Sequence, residues 1–228
     1  MVALGWQGGI NRMSLISEFE SRLPANLLNT FKSLKTPFLI QQYLDSMPYI
    51  AEERDRSPLN VMLDHQSHCL DGGLFAALAL WRLGFKPLIL DLRPDPGMDD
   101  DHVLALYQLD GRWGALAKSN YVNLGFREAV HKDLRELAMT FFEHYASIHQ
   151  TKTLRGYTRP FDASKFPLND WAWNEDSTQK LYKKFYSRKA IPLITKKMAS
   201  RLSPITDHTY AAETMYTNLN ESFGNRPH

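Results

Sequence analysis

The 228-residue chain predicts an α+β fold: a buried central helix packed on a small antiparallel sheet, with further helices before and after that core. Two stretches carry the prediction. Residues 69–84 place Leu70, Leu74, Leu78 and Trp81 at helical spacing and end on Gly84, where a C-cap glycine belongs. Residues 102–119 form two apolar runs around Asp110-Gly111, the strongest short-range signal for a two-residue hairpin.

The elements follow in order. Residues 1–13 lack the charged-then-apolar order of a signal peptide and are expected as a flexible leader, with Met13 as the effective start. A core is expected over 14–150 and an extension of helices and loops, packed on that core, over 151–228. Ser14 opens a first helix, a second runs near Ala25–Leu34, and Thr36-Pro37 starts a third that continues through Leu44. Ser67 is set as the N-cap of the helix headed by Cys69. Leu88–Leu92 reads as a strand, His102–Leu109 and Arg112–Ser119 as the hairpin, and 127–149 as one helix. Trp171 and Trp173 lie in a loop, more simply read as satellite core than as the wall of a cleft.

Bulk properties exclude several function classes. A net charge of +2 argues against whole-molecule attraction to nucleic acid, and no run approaches the roughly 20 apolar residues of a membrane span. A single cysteine rules out an internal disulfide and fits a reducing compartment, so a cytoplasmic protein is expected. Residues 180–201 carry Lys180, Lys183, Lys184, Arg188, Lys189, Lys196, Lys197 and Arg201 with no acid. This reads first as a solvated helix face with Leu181, Phe185 and Tyr186 packed inward, and second as a surface for an acidic partner. His65, His68 and Cys69 make a weak ligand pattern, so no metal and no cofactor is expected.

Cys69 is the candidate nucleophile, because a thiol in the first turn of a helix feels the positive end of the dipole. A two-residue turn at 110–111 pairs Leu109 with Arg112, Gln108 with Trp113, Leu106 with Ala115, Leu104 with Ala117 and His102 with Ser119. His102, Leu104, Leu106 and Gln108 then share one face with Trp113, Ala115, Ala117 and Ser119. If the Cys69 helix packs on that face, Cys69 and His102 form a thiol–imidazole pair. Ser119 by geometry, or Asn120 by chemistry, would orient the ring. Asp71 supports the helix N-terminus, and His68, Asp71 and Trp113 are set as substrate contacts.

His68-Cys69-Leu-Asp71-Gly72, Asp100-Asp-His102-Val103 and Trp113-Gly-Ala-Leu-Ala-Lys-Ser119-Asn120 resemble the transglutaminase-like branch of the papain-like cysteine enzymes, over roughly residues 36–125. The resemblance implies a papain-like core and an amide or acyl hydrolase or acyltransferase acting on a peptide, amide or small acyl substrate. In that pattern the third catalytic residue is an Asp four positions after the Trp, which falls on Ala117. The alternative is therefore a catalytically inactive scaffold that serves as a binding protein, through the basic C-terminal segment.

Overall fold

The computed structural model describes residues 11–225. Residues 1–10, most of the expected leader, lie outside them. Asn11 caps α1 (Arg12–Ser21) by accepting the Met13 N–H, so the first helix begins within the span assigned to the leader. Then come α2 (Ala25–Ser33), α3 (Pro37–Asp45, capped by Thr36 with Pro at its first position) and α4 (Pro58–Asp64, capped by Ser57). Next is α5 (Cys69–Arg82). Its N-cap is His68 rather than Ser67, and Gly84, at φ +102°, ends it through the Phe85 N–H on the Leu80 carbonyl.

The sheet is antiparallel and larger than expected. It comprises β1 (Leu88–Pro94), β2 (His102–Leu109), β3 (Arg112–Leu116), β4 (Arg127–His131), β5 (Leu154–Thr158), β6 (Phe161–Asp162) and β7 (Ala190–Pro192). The order is β4-β3-β2-β1-β5-β7, with β6 also on β1. The Asp110-Gly111 turn has both residues at positive φ, and its register pairs Leu109 with Arg112, Gln108 with Trp113 and Leu106 with Ala115. The ladder stops at Leu116, short of the expected His102–Ser119 pair. At Ala117 the Gln41 amide takes over, accepting the backbone N–H at 3.1 Å and donating to the carbonyl at 2.9 Å.

Two expectations are corrected here. Residues 127–149 are not one helix: β4 pairs with β3, and Asp133 then caps α6 (Leu134–Met139) by accepting the Glu136 N–H. The segment after 150 is not only helix and loop, since it supplies β5, β6 and β7 to the same sheet. It also holds α7 (Glu175–Tyr186), α8 (Lys196–Ala199) and α9 (Asp207–Glu213). On α7, Leu181 and Phe185 are buried and Lys180, Lys183 and Lys184 exposed, as expected, but the third inward residue is Tyr182, and Tyr186 is only half-buried. No helix of the described residues is long and apolar enough to cross a membrane.

Both faces of the sheet are covered. α5 packs on the face of Val103, Ala105, Tyr107 and Leu116. Leu90, Leu92, Leu104, Leu106, Ala115 and Ala117 form a second core with Leu137, Phe141 and Tyr145. α5 comes close because it starts with two glycines: a Cβ on Gly72 would lie 2.4 Å from the Lys118 Cβ, and one on Gly73 would lie 2.8 Å from the Val103 Cγ1.

Candidate active site

Cys69 stands at the first position of α5, at the edge of a cleft of about 240 Å³ lined also by His68, Tyr49 and Tyr186. Five carboxylates line it (Glu52, Glu53, Asp55, Asp100 and Asp101), with no lysine or arginine among the described lining residues. The Cys69 thiol donates to the Asp101 carbonyl at 3.6 Å. Burial is the largest influence on it and raises its pKa well above the free-thiol value; Asp101 and Asp100 push the same way, opposed by the Val103 backbone N–H. These influences oppose the helix dipole and favour the neutral thiol.

His102 lies on the other side of the sheet, because Val103 faces α5 and neighbouring strand residues alternate. Its ring sits with centroids 6.4 Å from both Phe141 and Tyr145, and Nε2 meets the Leu124 carbonyl at 2.7 Å. Burial lowers its pKa to about 4, opposed by that carbonyl. The expectation that α5 packs on the His102 face is thus overturned: His102 and Cys69 make no hydrogen bond and line different cavities.

The structure does bring His102, Ser119 and Asn120 to one small cavity of about 40 Å³, which shares Asp100 and Asp101 with the Cys69 cleft. Their polar atoms are bonded elsewhere. Ser119 Oγ accepts the Tyr121 N–H, and Asn120 Nδ2 donates to the Asn218 carbonyl and to Ser222 Oγ. Of the expected substrate contacts, His68 lines the Cys69 cleft, whereas Trp113 packs against the second core and is not among the lining residues. Asp71 is fully buried, and its Oδ1 accepts the Arg56 N–H at 2.9 Å. Burial is the main cause raising Asp71 to about 8 and lowering His68 to about 4.

Sequence reasoning missed three residues that shape this region. Gln41 ends the β3 ladder at Ala117, and nothing local marks it. Lys118 is buried against Gly72 and donates to the carbonyls of Leu44 and Met47 at the end of α3. A lysine directly after the apolar Ala115-Leu-Ala117 run was the available signal. Asp55 approaches His68 Nε2 to 3.7 Å across a chain separation that no motif spans.

The fold and site define an α+β protein in which a cysteine-headed helix packs on an antiparallel sheet beside an acidic cleft. No protein-family model and no curated protein matches the chain. Among solved structures it is similar to Legionella pneumophila LapG, at 13% identity over 57% of this chain and 96% of that one, with a TM-score of 0.35. The EGTA-treated form of that protein gives 10% identity, 75% and 98% coverage and a TM-score of 0.41. The calcium-bound form gives 12% identity, 77% and 99% coverage and a TM-score of 0.41.

Proposed function

We propose that the chain is a binding protein built on a transglutaminase-like layout, in which the cleft beside Cys69 accepts a cationic group and no Cys–His pair operates. One observation carries this reading: His102 Nε2 bonds the Leu124 carbonyl on the face opposite α5, leaving the thiol among the backbone of Asp101 and Val103, nearby carboxylates and Tyr145, Tyr182 and Tyr186. A thiolate nucleophile needs an adjacent base or a cation, and carboxylates supply the opposite field. The acidic lining of the same cleft attracts positive charge instead.

A second reading, a cysteine-dependent acyl hydrolase or acyltransferase, is favoured by the place of Cys69 at a helix N-terminus on an open cleft. In that reading Cys69 attacks the carbonyl, His102 exchanges the proton, Ser119 or Asn120 orients the ring, and water or an amine then takes the acyl group. It requires the imidazole to leave the Leu124 carbonyl.

Iodoacetamide alkylation of Cys69 against pH, in the wild type and in His102→Ala, separates the two. The binding reading expects a slow thiol titrating at or above the free value of about 8.5, indifferent to His102. A thiol titrating well below that value, and shifted upward in His102→Ala, would replace it with the enzyme reading.

A further inference from the structure

The inner end of the acidic cleft holds a second arrangement, made of one imidazole and two carboxylates. His68 Nε2 lies 3.4 Å from Asp71 Oδ2 and 3.7 Å from Asp55 Oδ1, and the three ligand atoms all fall within 4.8 Å of one another. A zinc ion bound at about 2.0–2.2 Å in a tetrahedral site sets its ligand atoms roughly 3.3–3.6 Å apart, close to the two separations from His68 Nε2. The three side chains grade from 31% exposed at Asp55, through 11% at His68, to none at Asp71. Asp55 and His68 line the cleft, so a metal held here keeps one side toward solvent.

An independent observation points to a ligand. Asp71 is wholly buried: Oδ1 accepts the Arg56 N–H, the His68 backbone N–H also acts on the carboxyl, and Oδ2 has no well-formed hydrogen bond and only the His68 ring beside it at 3.4 Å. Arg56 does not neutralise it: its guanidinium pairs with Glu52 and with Asp64 at 2.8 Å, and Nη1 comes no nearer than 4.0 Å to Asp71. Arg54, the other arginine on this loop, is taken by Asp64 and Glu175. The local acids exceed the local bases, and the buried Asp71 carboxyl faces an imidazole nitrogen. Such a carboxyl rests neutral with its proton, or charged when it is paired or coordinates a metal, and a metal bound here takes the place of that proton.

We propose that Asp55 Oδ1, His68 Nε2 and Asp71 Oδ2 form a three-ligand zinc site with its fourth position open to the Cys69 cleft. One imidazole with two carboxylates suits zinc better than magnesium, which takes oxygen ligands in near-octahedral geometry. Cys69 is not a ligand. The inference deepens the reading of a cation-binding cleft and rests on its acidic lining. It is judged by metal titration, whereas that reading is judged by alkylation of Cys69.

The experiment is calorimetric titration of ZnCl2 into the metal-stripped full chain, in the wild type, Asp71→Asn, Asp55→Asn, Cys69→Ser and His65→Ala. The expected result is one saturable equivalent in the wild type, retained in Cys69→Ser and His65→Ala. Each Asp→Asn change is expected to weaken it by at least about 100-fold, the upper end of what outer-shell changes alone produce. Circular dichroism checks folding, and if Asp71→Asn does not fold, the more exposed Asp55→Asn decides. The proposal is overturned by the absence of a one-equivalent site, by unchanged zinc affinity in a folded Asp→Asn variant, by loss of binding in Cys69→Ser, or by displacement of zinc with equimolar Mg2+.

Discussion

His102 is 5% exposed, and Nε2 bonds the Leu124 carbonyl. Its lowered pKa, near 4 against about 6.5 for a free ring, has a consequence for stability. Between those values the unfolded chain takes up a proton that the folded chain refuses. The contribution is therefore fully present above pH 6.5 and is lost as pH falls toward 4. A shift of that size corresponds to roughly 3 kcal/mol. Urea midpoints of the wild type are expected to fall more steeply from pH 6.5 to 4 than those of His102→Gln, which keeps a donor for the carbonyl. His68 titrates in both proteins and cancels in the difference. Parallel curves would show that the ring is not buried as described. No histidine spacing in the sequence could have foretold this: residue 102 was legible as a strand histidine, but its partner carbonyl is 22 positions away.

Among the elements, α5 determines the architecture. Its residues Cys69 to Trp81 are all buried, and its glycines permit a close approach to β2 and Lys118. In an exposed helix, Gly→Ala gains about 1 kcal/mol of propensity. At Gly73 the added methyl meets the Val103 side chain and carbonyl, and such overpacking costs about 1–3 kcal/mol. Gly73→Ala is accordingly expected to lower the urea midpoint, and Val103→Ala in the same chain to recover part of the loss, since neighbouring sites couple. Strictly additive losses would mean that α5 does not rest on Val103. The helix itself, its glycine stop and the hairpin register through Leu106–Ala115 were legible, because spacing and turn chemistry are local. The single helix over 127–149 was misread for the complementary reason. The ladder to β3 and the Asp133 cap together outweighed an apolar periodicity that a strand followed by a short helix also satisfies.

For the whole molecule, one sheet joins two cores, and the residues after 150 belong to both. β5 pairs with β1 at the middle of the sheet, and Trp171, fully buried, stacks at 6.5 Å on Trp81 of α5. A fragment ending at residue 150 would expose the β1 edge and the Trp81 face of α5. It is expected to lack a cooperative thermal transition, whereas the full chain shows one. A fragment that melts cooperatively would restore 14–150 as a self-sufficient core.

By itself the sequence determined the α+β class, the cysteine-headed helix with its glycine stop, the Asp110-Gly111 turn and the single thiol. Each of these depends on residues within a few positions of one another. Only the tertiary structure decided which layer lies on which face of β2. Val103, Ala105 and Tyr107 alternate with Leu104 and Leu106, so both faces are apolar, and period-two alternation says which residues share a face without saying what covers it. That choice separates His102 from Cys69. The same longer-range packing, through the loop before α4, sets Asp55 against His68, whereas Asp71 reaches it as a local neighbour in the first turn of α5.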